Sequence, residues 1–259
     1  MFKKIKEIFE FKEMIKSFTI RDLKTRYKGS FLGFLWTFIN PLLQLLVYSM
    51  MFPLILKISE KNYAMFLFVA IIPWGFFGTS IQGACGIIIG NSNLVTKVYF
   101  PREILPITYI LSALCNTIFS YSIVFPMLLL FKIPITINIL WLPIILIVQA
   151  IFNLGLAFIV SSVNVFFRDL EYLISVGIIA LYFMTPVMYN IRILPLKYQH
   201  LLLLLNPMAG FITMYRDVTY YGTMPKIKLL LYLFTISILI FIIGYVTFQK
   251  LQKKFAEIL

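Results

Sequence analysis

The chain has 259 residues, 61% of them hydrophobic and 13% charged, with a formal net charge of +13. A soluble domain holds roughly 25% charged residues, so an apolar excess gathered into long uncharged runs excludes a water-exposed globule and defines a membrane protein. The basic balance does not point to nucleic acid, because the charges lie between apolar runs, where they set orientation and meet anionic lipid.

Residues 2–18, FKKIKEIFEFKEMIKSF, place Ile8, Phe11, Ile15 and Phe18 at helical spacing with Glu7, Glu10 and Glu13 on the other side. That pattern predicts an amphipathic helix lying on the membrane surface, or else one packed on a partner. Thr19 and Asp22 are spaced as a capping box, which predicts a second helix beginning there. Asp22 and Arg26, four apart, are expected to pair on it. Residues 21–28 hold five charges, four of them basic. Arg21, Lys24, Arg26 and Lys28 form a collar before Gly29, Ser30 and the first apolar run. Gly29 and Gly33 are expected to permit close helix packing at the membrane entry. The collar meets lipid phosphates as an ordinary anchor, or receives an anionic headgroup on a substrate.

Uncharged runs then cover 29–56, 62–96, 104–131, 133–167, 172–191 and 229–249. Each exceeds or meets the ~20 residues of a transmembrane helix, so six spans are expected. The first follows a long charged segment and is read as a retained span rather than a leader. Residues 198–215 form a seventh apolar stretch, broken by Asn206, Pro207 and Gly210, and fit a re-entrant segment better than a span. Placing the N-terminus in the cytoplasm puts 15 Lys and Arg on that side and 8 on the other, with six spans or seven. The positive-inside rule therefore orients the N-terminus and leaves the C-terminus open. The domain reading is an interface helix and basic elbow (1–28), a six-span domain (29–249) and a cytoplasmic tail (250–259).

Cys85 and Cys115 lie in apolar sequence without a CxxC pair or a nearby His, which reads as packing and indicates no metal site. The spans hold no Asp, Glu, Lys or Arg, whereas an ion-driven carrier usually shows such groups. An external energy source is favoured. A membrane glycosyl- or acyltransferase would need acidic residues or a partnered His, and the lone His200 has no evident partner.

The stretch RDLKTRYKGSFLGFLWTFINPLLQLLVYSMMF resembles the N-terminal signature of ABC-2 type permeases that export polysaccharides, the O-antigen, teichoic acid and capsule exporters. KVYFPREILPI (97–107), NVFFRDLEYL (164–173), TPVMYN (185–190) and LNPMAGFITMYRDVTYYG (205–222) agree with it in order. The resemblance implies an all-α polytopic fold with six transmembrane helices and gate helices between spans five and six. It also implies a homodimer in the bacterial cytoplasmic membrane, two separate ATPase subunits holding ATP and Mg2+, and a lipid-linked glycan, on undecaprenyl diphosphate, as substrate. A drug or small-lipid exporter of the same type is the alternative. The chain has no GxxxxGK[ST] loop, so no cofactor is expected on it and hydrolysis belongs to the partner.

The resemblance also places a coupling helix for the ATPase at residues 91–103. Asn93 is then a candidate cap, and Lys97, Tyr99, Phe100, Arg102 and Glu103 are candidate contacts. Arg168 is a candidate for the cytoplasmic entrance, binding a diphosphate or merely pairing with Asp169 or Glu171. Of the many aromatics near span ends, most belong to the interfacial belt. Trp36, Phe38, Trp74, Tyr182 and Tyr189 are candidates for a sugar path.

Overall fold

The structure, a computed structural model, describes residues 7–56 and 62–259, without the side chains of 51–56. Its elements are α1 (Lys12–Arg26), α2 (Trp36–Leu56), α3 (Tyr63–Gly90), α4 (Ser92–Lys97), α5 (Ile104–Leu130), α6 (Leu142–Asn164), α7 (Leu170–Met184), α8 (Leu196–Leu205), α9 (Pro207–Thr219), α10 (Ile227–Leu251) and α11 (Phe255–Ile258). Among the described residues there is no strand. Helices α2, α3, α5, α6 and α10 are long and apolar enough to cross a membrane, and α7 is a shorter apolar helix. The fifth uncharged run therefore yields a 15-residue helix rather than a full span. Thr185 stops it: the residue before Pro186 is pushed to extended geometry and has φ −94° and ψ 139°.

Helix α3 is the buried centre of the bundle, with α2, α5, α6, α7 and α9 packed around it. Its 28 residues make a rod of about 42 Å. Buried amides fasten α6 to it. Gln149 Nε2 donates to the Pro73 carbonyl at 2.8 Å, Asn153 Nδ2 to Ser80 Oγ at 3.3 Å, and Asn164 Nδ2 to the Cys85 carbonyl at 3.0 Å. Helices α6 and α10 cross at contact distance. A Cβ on Gly155 would lie 2.6 Å from the Phe241 nitrogen, and one on Gly244 would enter the Gly155 backbone. Small residues let two helices approach this closely where no water-driven burial holds them together.

The broken stretch is a hairpin of α8 and α9. Asn206 Oδ1 accepts from Met208 N (3.1 Å) and Ala209 N (3.4 Å), and Pro207 opens α9 at the position where a missing N–H costs nothing. Buried Met208 meets Gln149 at the depth of Pro73, and Arg216 meets the Phe66 carbonyl near the start of α3. The hairpin thus dips into the bundle and returns, as a re-entrant segment does. The opposite end of the bundle gathers α1 and the C-terminal tail in one apolar cluster, with Phe11 and Phe18 beside Val95, Phe248 and Phe255.

Two local expectations are corrected. Helix α1 runs through Thr19 without a break, because the Thr19 hydroxyl donates back to the Ile15 carbonyl (2.8 Å) instead of capping a new helix. Its apolar residues Phe11, Met14, Ile15 and Phe18 pack into the chain's own cluster, while Phe9 and Ile20 remain exposed. Residues 2–6 of the predicted 2–18 helix lie outside the described residues. Gly29 and Gly33 do not serve close packing, since a Cβ on either meets nothing within 4 Å; their φ values of +79° and +51° make the turn into α2.

Candidate functional site

The elbow is pinned from below. The Tyr27 hydroxyl donates to Asn116 Oδ1 on α5 at 2.6 Å, and Thr37 Oγ1 lies 2.7 Å from that hydroxyl and 3.0 Å from the same amide oxygen. Ser120 Oγ donates to the Thr37 carbonyl (3.3 Å), and Trp36 Nε1 to Ser30 Oγ (2.8 Å). A satisfied polar knot at a membrane entry fixes the direction of α2 more firmly than apolar contact alone.

Around this knot three neighbouring cavities share lining residues. One of about 520 Å³ lies between the elbow, α2, α3 and α5, bordered by Arg26, Trp36, Asn40, Gln44 and Thr79. A second of about 660 Å³ shares Arg26 and Thr79 with it and extends past Asp22, Gln82 and Tyr109 to Ile178 on α7. A third of about 370 Å³ shares Gln44 and Ile71 with the first and Ile178 with the second, and ends at Tyr48, Trp74 and Tyr182. They form one groove between α2 and α7, floored by α3. Its charged end is at Asp22 and Arg26; its aromatic end has the Trp74 and Tyr182 rings 5.3 Å apart and Tyr48 6.3 Å from Tyr182.

The collar divides. Arg26 faces the groove, while Arg21, Lys24 and Lys28 line an adjacent recess of α1 that meets the groove at Thr25. Asp22 pairs with its neighbour Arg21 at 3.4 Å rather than with Arg26. Burial raises the Asp22 carboxyl above its ordinary range, against the pull of Arg21 and Arg26. Arg21 also stacks on Phe18 at 4.3 Å and donates to Asn91 Oδ1 at 3.4 Å, which ties the collar to the segment leading into α4. Arg168 is exposed in the turn between α6 and α7 and borders none of these cavities.

Of the aromatic candidates, Trp36, Trp74 and Tyr182 border the groove. Phe38 turns toward α5, where its ring and that of Phe119 both meet Phe34 edge-on, at 5.5 and 5.1 Å. Tyr189 lies outside the groove, its carbonyl accepting from Arg216 at 3.3 Å. The polar lining residues Thr37, Asn40, Gln44 and Thr79 are not among the sequence candidates, because uncharged amides and hydroxyls carry no charge or ring signature. The three- and four-residue spacing of Thr37, Asn40 and Gln44 inside an uncharged run was a readable signal of a polar helix face.

In the loop between α3 and α5, helix α4 begins at Ser92, so Asn93 lies inside it and does not cap it. Asn93 and Lys97 are exposed, and Tyr99 is 87% exposed beside exposed Val98. Phe100 and Glu103 are buried and Arg102 half-buried, so these three face the chain's own tail rather than outward.

At the other end of the bundle Arg216 is 4% exposed. Its guanidinium donates to the carbonyls of Phe66 (3.2 Å), Pro186 (2.5 Å), Val187 (2.5 Å) and Tyr189 (3.3 Å) and lies 3.5 Å over the Phe66 ring. It fastens α9 to α3 and to the chain leaving α7. The adjacent Asp217, 8% exposed, lines a small cavity with Arg192 and Lys226. Burial raises its carboxyl to about 6, although both cations pull it down.

A helical membrane bundle with a half-open groove, a basic entry and a re-entrant hairpin has the form of a transport subunit. The ABC-2 type transporter family model matches residues 13–220, and the chain belongs to that family. It is 33% identical over 258 residues to the O-antigen export system permease protein RfbA of Myxococcus xanthus, covering 99% of both chains. It is 32% identical to the RfbA of Klebsiella pneumoniae, over 95% of both. It is 25% identical to the polysialic acid transport protein KpsM of Escherichia coli, over 93% of this chain and 95% of that one.

Proposed function

We propose that the chain is the permease subunit of an ATP-driven exporter of lipid-linked polysaccharide in the bacterial cytoplasmic membrane, acting as a homodimer with two separate ATPase subunits. The observation that carries this reading is the groove between α2 and α7, basic at Arg26 and aromatic at Trp74 and Tyr182. A guanidinium suits the phosphates of an undecaprenyl diphosphate carrier. Flat rings suit the apolar faces of sugars and do not demand one hydrogen-bond pattern, so a polymer slides past them. The groove is open along one side, flanked by exposed residues such as Val47 on α2 and Ile179 on α7. A second copy related by a twofold axis would close two half-grooves into one conduit. The relatives' names support the polysaccharide class.

Hydrolysis takes place on the partner chains, which dock on α4 and the exposed Val98 and Tyr99. ATP-driven closure of the partners moves that segment and, through α3, the bundle. With the charge-rich end cytoplasmic, the α8–α9 hairpin sits at the outer face as a gate. Co-purification with candidate ATPases, followed by hydrolysis assays with lipid-linked glycan, tests the proposal. A stable complex stimulated by glycan is the expected result, and hydrolysis by this chain alone would refute it.

A further inference from the structure

The segment that would meet the ATPase is held by the other end of the chain. Glu103, 0% exposed, accepts hydrogen bonds on Oε1 from the side-chain amides of Gln249 and Gln252, the latter at 3.1 Å. Gln249 ends the last span and Gln252 begins the tail. Arg102 donates to the Gln252 carbonyl, and its guanidinium lies 5.9 Å from the ring of fully buried Phe255. Helix α11 packs on α4, and Val95, Phe100, Phe248 and Phe255 share one apolar cluster. From the N-terminal side the Tyr99 hydroxyl donates to Glu7 Oε1 at 3.4 Å. Between these grips the tip at Val98 and Tyr99 remains 51% and 87% exposed, next to exposed Lys97 at the end of α4.

We infer that the C-terminal tail is a working part of the coupling element: Glu103, Gln249 and Gln252 are positioning residues that set the docking tip for the ATPase. A buried carboxylate leaves water only where donors replace its hydration. Two tail amides supply them here, so the loop keeps this geometry only while the tail is seated. A tip fixed at both flanks transmits force in either direction, whereas a tip on a free loop would yield. The inference rests on the docking role proposed for Val98 and Tyr99.

The test uses the full permease purified with its ATPase, in lipid, with lipid-linked glycan added. Gln252→Glu sets a second carboxylate beside Glu103, and like charges in one buried site repel. Glycan-stimulated kcat for ATP per assembled complex is expected to fall about tenfold, a coupling of the size found between contacting residues, with KM for ATP unchanged. The exchange Glu103→Gln with Gln252→Glu restores one carboxylate and its amide partner, and is expected to recover the rate. Should Gln252→Glu fold poorly, Gln252→Met removes one donor without adding charge, and a reduced kcat at constant KM is again expected.

If the unaltered chain captures no ATPase, the docking reading fails and the inference with it. If the complex forms, is lost in Val98→Ala/Tyr99→Ala, and keeps full kcat in Gln252→Met, the docking reading stands and the inference is overturned. Failure of the exchange to restore the rate overturns the pairing as well.

Discussion

Arg216 and Asp217 are neighbours with opposite accounts. The guanidinium of Arg216 replaces its hydration with four main-chain carbonyls and a ring face, a fork that Lys does not reproduce. Arg216→Met leaves those carbonyls without their donor, and the melting temperature of the purified protein is expected to fall by about 5–10 °C. Arg216→Lys should recover only part of the loss in the same scan. Asp217 is buried with its pKa raised to about 6 from 3.8. The folded chain then binds this proton more tightly than the unfolded chain, so the contribution to stability is full below about pH 4 and is lost as pH rises through about 6. Asp217→Asn removes that dependence. Its melting temperature relative to wild type is expected to climb between pH 4 and 7 and level off above. A constant difference across that window would contradict the assignment.

Among the elements, the α6–α10 crossing and the elbow use glycine for different reasons. At Gly155 the neighbouring backbone occupies the space of a side chain. Gly155→Ala must push α10 away, and overpacking of this kind costs about 1–3 kcal/mol. Gly75, also helical, has open space at its Cβ position, so Gly75→Ala should be tolerated. Thermal melts of the two variants check the contrast. At the elbow the need is a left-handed backbone, and Gly29→Ala should loosen the turn although nothing touches it. Sequence spacing revealed that both regions contain glycine; it did not tell crowding from backbone geometry, because that depends on which helix passes by.

For the whole molecule, the apolar runs made the helices legible, since each uncharged stretch must satisfy its backbone internally in lipid. The re-entrant hairpin was legible too, because Asn206 and Pro207 are a cap and a first-turn residue wherever they stand together. The short α7 was less so: Thr185 and Pro186 stop a helix locally, while counting apolar residues counts straight through them. The groove was half legible. Its aromatic end held Trp74 and Tyr182, as chemistry suggested, but which of Arg21, Lys24, Arg26 and Lys28 faces it depends on the seating of α1 on α5. The inward turn of Phe100 and Glu103 was invisible, because their partners Phe255 and Gln252 lie some 150 residues away. For the assembly, Val47→Cys in one copy should cross-link to Ile179→Cys or Val47→Cys in another across the closed groove. Ile147→Cys, exposed on α6, should not. Cross-linking through Ile147 instead would place the second copy on the wrong face.

The brevity of α7 has a consequence for the surrounding lipid. Fifteen residues span about 22 Å, against a hydrocarbon core near 30 Å. A wall shorter than the bilayer draws the two leaflets together beside it, at a modest cost per ångström of mismatch. That wall is one side of the groove. Under the proposed function, such thinning would lie where the passenger enters or leaves sideways, and a lipid tail travelling alongside it would have the least distance to cross.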